Sequence, residues 1–248
     1  MTSTKIVCHR GARFDAPENT FSSAQKAIEI GGAIIELDIR QSSDGVLYVM
    51  HDETVDRTTN GSGAIAELTS MQIDALDAGS WHDPTFAGER VPRLDAFLGM
   101  FADRAGFYLE VKKADCSNIA KVVRKLGIAE QCFTFSFDPE MRRQMHVSIP
   151  EVRRMIHWND AGSAEAALET HHASIVEFHQ DSFTAGRVKS CQAHGLEVMF
   201  YSDKPDEENF QTALDLEMNY VNIDYISLFS DMRVRHENLG TSRSDLSA

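Results

Sequence analysis

Glu36 and Asp38 stand two residues apart in the run Ile34-Ile35-Glu36-Leu37-Asp38-Ile39-Arg40, and Glu110 and Lys112 repeat that spacing further along the chain. Alternate residues of a β-strand share a face, so each pair projects its polar groups to one side while Leu37 or Val111 points to the other. Carboxylates gathered out of water repel one another, and a divalent cation that takes oxygen ligands relieves them. Glu36, Asp38 and Glu110 together would suit such a cation. Lys112, and Arg10 in His9-Arg10-Gly11, bring positive charge for an anionic oxygen. His9 and His51 supply side chains whose ordinary pKa already lies near neutrality. A hard-cation site, two cationic side chains and two histidines are the parts needed for acid–base cleavage of a phosphate ester.

Residues so far apart in the chain need a framework that brings them together. Short apolar runs over 5–9, 34–40, 106–112, 131–137, 152–158, 174–179, 197–202 and 221–224 read as eight strands. Segments of helical periodicity fall between most of them, at 19–31, 117–126, 139–146, 164–171, 182–194 and 207–217. A Ser43-Asp44-Gly45 turn leads into a hairpin-like return over 46–50 that ends at His51-Asp52. Strands alternating with helices pair in parallel, and eight of them predict an α/β fold, a closed (β/α)8 TIM barrel, with an open doubly wound sheet as the runner-up. Residues 54–92 interrupt the rhythm with Gly, Thr and Asp and read as a small insertion after strand 2, holding one short helix near 70–76. The polar stretch 238–248 lacks periodicity and reads as a frayed tail. In a parallel barrel, chemistry gathers at the carboxyl ends of the strands. Those ends carry His9-Arg10, Glu36 and Asp38, then Glu110 and Lys112, with Trp158, His179 and Tyr201 as later candidates for lining a substrate pocket.

Composition narrows the function classes. The chain has 248 residues, which suits one barrel domain over 1–248, and its net charge is −14 with no basic run. Nucleic acid and anionic membranes are therefore poor partners, since both need a positive surface, whereas a small phosphate ligand needs only a few local cations. No apolar run approaches the ~20 residues of a bilayer span. The first residues carry no apolar signal core, and Cys8, Cys116, Cys132 and Cys191 show no paired spacing, so the reading is a cytoplasmic protein with reduced thiols. Apolar residues on the outer helices are compatible with a homo-oligomer.

Taken in order, His9-Arg10-Gly11, Pro17-Glu18-Asn19-Thr20, Glu36-Leu37-Asp38, His51-Asp52, Arg57-Thr58-Thr59 with Gly61 and Gly63, Val91-Pro92-Arg93-Leu94 and Glu110-Val111-Lys112 resemble the glycerophosphodiester phosphodiesterase family. The resemblance covers nearly the whole chain and is most specific in its first 112 residues. It implies a TIM barrel that hydrolyses glycerophosphodiesters to glycerol 3-phosphate and an alcohol, with Mg²⁺ or Ca²⁺ as the divalent metal. Carried over by position, it implies Glu36, Asp38 and Glu110 as metal ligands and His9 and His51 as the acid–base pair. Arg10 and Lys112 become phosphate contacts, and Glu18 sits at the edge of the active site. Which histidine is acid and which is base stays open, as does attack by water against a cyclic phosphate intermediate of the kind made by the related phosphatidylinositol-specific phospholipases C.

Three positions depart from the family pattern. Tyr201-Ser202 stands where a Trp-Thr pair is usual, Ile223-Asp224-Tyr225 where Thr-Asp-x-Pro is usual, and Pro92-Arg93-Leu94 where Pro-Thr-Leu is usual. The first two fall where the substrate's alcohol group should lie, so they bear on substrate identity more than on chemistry. The rival readings are the same chemistry on a sugar phosphodiester or a lysophospholipid, or a barrel that binds a phosphorylated ligand without turning it over. A lysophospholipid would call for exposed apolar surface, for which the insertion offers Ile65, Leu68, Met71, Ile73, Leu76, Trp81 and Phe86.

Overall fold

The strands, in chain order, are β1 (Lys5–Cys8), β2 (Ile34–Gln41), β3 (Leu47–Val49), β4 (Gly106–Lys113), β5 (Cys132–Phe135), β6 (Arg153–His157), β7 (Ile175–Phe178), β8 (Glu197–Ser202) and β9 (Tyr220–Ile223). The computed structural model from which they are taken describes residues 4–244. Helices α1 (Phe21–Glu29), α2 (Ser70–Asp74), α3 (Leu94–Phe101), α4 (Cys116–Leu126), α5 (Pro139–Ser148), α6 (Trp158–Ala161), α7 (Ala164–Glu169), α8 (Ala185–Ala193), α9 (Glu207–Asp215) and α10 (Ile226–Ser244) fall between and after them. The hydrogen-bonded order β1-β9-β8-β7-β6-β5-β4-β2, closed by pairing of β1 with β2, is a (β/α)8 barrel, to which β3 adds an antiparallel flap on β2. No helix among the described residues is long and apolar enough to cross a membrane.

By density of contact the chain divides into two units. One comprises residues 8–29 and 33–154. Its central strand is β2, whose first six residues are all buried, Glu36 and Asp38 included. Ile34, Ile35, Leu37 and Ile39 suit a strand enclosed on both faces, as parallel sheets require. Strand β4 runs parallel to β2 with Asp38 opposite Glu110, and a register shift follows between Ile39 and Arg40, so that Arg40 pairs with Lys113. Helix α4 is fixed at both ends, by Asp115 accepting from the Ser117 amide at 2.8 Å and by Gly127 in the left-handed conformation. The insertion expected over 54–92 has a small core of its own, in which Val55, Ile65, Ile73, Ala78 and Val91 pack with Tyr48 and Met50. Its expected short helix is α2.

The other unit holds the residues before Cys8, residues 30–32 and the chain from Met155 onward. Strands β6 to β9 pair in sequence, with His157 opposite Glu177, Phe178 opposite Phe200 and Tyr201 opposite Asn222. Rings of Phe200, Phe210 and Phe229 meet edge to face behind them. Two expectations need correction. Trp158 does not end strand 6: β6 stops at His157, and Trp158 begins α6, its ring stacked on Phe178 and covered by the Arg187 guanidinium. The stretch expected to fray from residue 238 is helical as far as Ser244 in α10, with residues 245–248 outside the described part. This helix is nearly uniformly polar along its second half, so it offers no apolar stripe for a sequence reading to find.

Candidate active site

Glu36, Asp38 and Glu110 converge, each offering one carboxylate oxygen within 4.8 Å of the other two. Parallel pairing of β2 with β4 produces this, because Asp38 lies opposite Glu110 and Glu36 precedes Asp38 on the same face. All three are buried, two of them to 1% exposure. Burial, and then the nearby charges of Asp38 and Glu110, push Glu36 well above the usual carboxylate range. Its Oε2 accepts from the Arg10 amide at 2.7 Å, while its Oε1 is buried with no hydrogen-bond partner among the described residues. Unrelieved, three enclosed carboxylates with an orphaned oxygen would be a costly arrangement. A hard divalent cation fits it, and the all-oxygen donor set is that of Mg²⁺ or Ca²⁺ chemistry.

Cations rim the carboxylates. Lys112 Nζ lies 3.1 Å from Asp38 Oδ1 and bonds Glu110, and the ring of Phe137 sits 5.4 Å beneath it. Arg10 Nε is 3.5 Å from Asp38 Oδ2, and its Nη1 donates to Glu18 at 3.1 Å. Burial raises the Asp38 carboxyl, but Lys112, Arg10 and His51 outweigh it and hold the group below its ordinary range. Arg10 adopts the left-handed conformation at φ 58°, and Gly11 follows at φ 79°. A Cβ at Gly11 would come within 2.8 Å of the Ser23 backbone, so this turn admits only glycine there. The turn aims the Arg10 amide at Glu36 and its side chain at Asp38. His9, immediately before it, is buried.

His51 follows the return strand β3. Met50 donates its amide to the Asp38 carbonyl at 2.9 Å, and Arg40 Nε donates to the His51 carbonyl at 2.8 Å, which anchors His51 beside β2. Its Nδ1 is 2.7 Å from Asp52 Oδ1. Arg57 in turn donates to both oxygens of Asp52 and to both oxygens of Glu18, which Arg10 also reaches. The result is a chain of paired charges, His51–Asp52–Arg57–Glu18–Arg10. Burial lowers the His51 pKa further than Asp38 and Asp52 raise it, which favours the neutral imidazole. Arg57 and His51 together keep Asp52 ionised, and Arg57 and Arg10 do the same for Glu18 against its burial.

Sequence reading gave three of these residues no part in the site. Asn19 looks like a helix cap, yet α1 starts at Phe21, and it is the Thr20 hydroxyl that accepts from the Ser23 amide at 3.3 Å. Asn19 instead donates its Nδ2 to Asp38 Oδ2 at 2.7 Å and accepts from the Asp38 amide at 3.4 Å. Its left-handed φ of 57°, unusual for anything but Gly, Asn or Asp, is part of how it reaches there. Asn19→Ala is expected to raise the metal concentration needed for half-maximal activity by about 10- to 100-fold while the rate at saturating metal falls much less. A metal titration of activity checks this, and an unchanged half-saturation point would remove Asn19 from the site. The other two, Asp52 and Arg57, sit inside the His51-Asp52 and Arg57-Thr58-Thr59 motifs, whose spacing carries no sign that they brace His51 and Glu18.

Of the later strand-end candidates, His179 and Tyr201 line an open cleft together with Gln180, Asp181, Ser202 and Asp203. The rings of His179 and Tyr201 are 4.9 Å apart. Behind His179 lies a group the sequence reading did not assemble. Glu177, 2% exposed, has its Oε1 at 3.0 Å from His157 Nε2 and 3.2 Å from His179 Nε2, and its Oε2 accepts from Asn222 Nδ2 at 3.3 Å. Burial favours the neutral acid, yet the two histidines reverse that and pull Glu177 down to about 2.

Residues 9–228 match the glycerophosphoryl diester phosphodiesterase family. A glycerophosphodiester phosphodiesterase of Bacillus subtilis (strain 168) is 32% identical over 251 residues, spanning 92% of this chain and 85% of its own. Other matches are partial in length. That to the glycerophosphodiester phosphodiesterase of Caldanaerobacter subterraneus subsp. tengcongensis is 35% identical and spans 63% of that protein, and a further Bacillus subtilis relative is matched over 44% of its length. The crystal structure of the glycerophosphodiester phosphodiesterase from Agrobacterium tumefaciens str. C58 superposes with a TM-score of 0.89 at 44% identity, over 92% of this chain and 99% of that one. A phosphodiesterase of Oleispira antarctica, solved with the product sn-glycerol-3-phosphate, shares the fold at 23% identity and a TM-score of 0.78.

Proposed function

Because the chain belongs to the glycerophosphoryl diester phosphodiesterase family, a family of metal-dependent enzymes, we propose that it hydrolyses a small glycerophosphodiester to glycerol 3-phosphate and an alcohol at the Glu36–Asp38–Glu110 site. The observation that carries the reading is the convergence of three buried carboxylates, one with an orphaned oxygen, between Arg10 and Lys112 and within reach of the His51–Asp52 pair. Glu36, Asp38 and Glu110 would hold Mg²⁺ or Ca²⁺, which when bound offsets charge on the phosphoryl oxygens. Arg10 and Lys112 orient the phosphate and oppose the charge that builds on its oxygens. His51, held in one orientation by Asp52, takes the proton of the attacking nucleophile, which is water directly, or the neighbouring glycerol hydroxyl followed by a water that opens the cyclic phosphate to glycerol 3-phosphate. His9 delivers a proton to the leaving alkoxide as its bond to phosphorus breaks. Glu18 acts at one remove, fixing Arg10 and Arg57.

A soluble diester is favoured over a lysophospholipid by the insertion. Ile65 and Ile73 are buried in its core and Leu68 and Leu76 pack against it, leaving Met71 and Trp81 as its large exposed apolar side chains. The four buried, unpaired cysteines support a reducing, cytoplasmic setting, and the net charge of −14 supports a small-molecule partner over nucleic acid. Purified protein incubated with glycerophosphocholine, glycerophosphoethanolamine and glycerophosphoinositol, with metal and with chelator, is expected to release glycerol 3-phosphate only when metal is present. No release from any of the three by folded, metal-loaded protein would sink the assignment and favour another diester or binding alone.

A further inference from the structure

His157, Glu177 and His179 have no part in the chemistry above, and their polar atoms are gathered as closely as the ligands of a single ion would be. Two imidazole nitrogens aim at a single carboxylate oxygen, at 3.0 and 3.2 Å, and the rings that carry them are 4.6 Å apart. Bonds of about 2.1 Å to nitrogen and oxygen set neighbouring ligand atoms about 3.0 Å apart in an octahedron and about 3.4 Å apart in a tetrahedron. The observed separations fall in that interval, and one donor atom from each of the three residues lies within 4.8 Å of the others. We propose that His157 Nε2, His179 Nε2 and Glu177 Oε1 form a second metal site, selective for an imidazole-preferring divalent ion of the Zn²⁺ class.

The fold supplies what such a site needs. His157 and Glu177 are register partners on the parallel strands β6 and β7, so their side chains leave the sheet side by side. His179 follows Glu177 by two residues and returns to the same face. Asn222, on β9, donates to the second oxygen of Glu177 and so sets its orientation, as outer-shell partners of metal ligands do. The same Asn222 is 3% exposed and its Oδ1 is buried without a hydrogen-bond partner among the described residues. A buried acceptor left unmet calls for a donor, and a metal-bound water is one. Entry is open: His179 is 36% exposed on its side chain and lines a cleft of about 370 Å³ with Tyr201, Asp181 and Asp203. Two imidazoles and one carboxylate leave positions free on the ion and rank Zn²⁺, Co²⁺ or Ni²⁺ above Mg²⁺ and Ca²⁺, the reverse of the all-carboxylate site.

That contrast gives the test. The whole protein, stripped with chelator and then held in excess Mg²⁺ to fill the carboxylate site, is titrated with Co²⁺ and followed by visible absorption and metal analysis. One equivalent of Co²⁺ with a ligand-field band is expected, retained in Glu36→Gln and lost in Glu177→Gln. Asn222→Ala is expected to weaken binding by about 10- to 100-fold, and His179→Ala by more, since it removes a ligand and not its support. Because Glu177 is buried and its variant could misfold, the half-exposed His179→Ala and the wild-type titration decide by themselves. Absence of the band from the wild type, or a band that survives His179→Ala and vanishes in Glu36→Gln, would overturn the proposal.

Discussion

Replacing His51 with Ala is expected to lower kcat for glycerophosphodiester hydrolysis by roughly 10²- to 10⁴-fold at saturating metal, the usual worth of a positioned proton-transfer group. The geometry makes His51 suited to act as base. Its Nδ1 is held by Asp52 at 2.7 Å, which leaves Nε2 as the free nitrogen, and Arg57 grips both oxygens of Asp52 so that the orienting carboxylate cannot swing. Burial lowers its pKa and so favours the neutral form that accepts a proton. Activity should therefore fall on the acid side only below the ordinary histidine pKa, as the imidazole takes up a proton. Asp52→Asn removes one of the influences that raise the His51 pKa, so that acid limb should move to lower pH while kcat drops to a value between wild type and His51→Ala. Rates measured by glycerol 3-phosphate release from pH 5 to 9, with far-UV circular dichroism to confirm folding, check both. A His51→Ala rate within tenfold of wild type would remove the base role.

The parts of this site that could be read from sequence were those set by strand periodicity. Glu36, Asp38 and Glu110 needed only a spacing of two and adjacency of their strands, and parallel pairing of β2 with β4 does place Asp38 opposite Glu110. Lys112 kept company with them for the same reason, although the register shift beside it was invisible. What stayed hidden depends on side chains whose local preference and tertiary use differ. Asn19 has the sequence signature of a cap and the structural role of a brace on Asp38. Arg57 lies in a polar insertion where an arginine is unremarkable, and its double grip on Asp52 and Glu18 exists only once the insertion has folded on Val55, Ile65 and Ile73. Glu177 and His179 share the two-residue spacing of Glu36 and Asp38, but inside the apolar run Ile175-Val176-Glu177-Phe178 the acid gains its partners only when β6 and β9 bring His157 and Asn222 to it.

Glu36→Gln should separate stability from function. In the metal-free state Glu36 contributes one of three enclosed carboxyl groups, and its Oε1 has no partner among the described residues to offset burial. Gln is close in shape, keeps an oxygen to accept from the Arg10 amide and is neutral beside Asp38 and Glu110 without taking up a proton, so the metal-free variant is expected to be at least as stable as metal-free wild type. With metal the order reverses. An ion present at 100 times its dissociation constant stabilises the folded protein by about 2.7 kcal/mol, which for a chain of this size raises Tm by roughly 5–10 °C. Wild type should show that rise with Mg²⁺ or Ca²⁺ and Glu36→Gln should not. Its kcat should fall by roughly 10²- to 10³-fold, since several kcal/mol of charge stabilisation leave with the ion. Thermal melts of both proteins with chelator and with each metal read the first effect, and glycerol 3-phosphate release reads the second. A variant that keeps the metal-induced rise would place the ion elsewhere in the chain. One that loses the rise and is also much less stable without metal would mean that the ionised Glu36 holds the Arg10 turn in place, and the carboxylate cluster would then serve the fold as much as the chemistry.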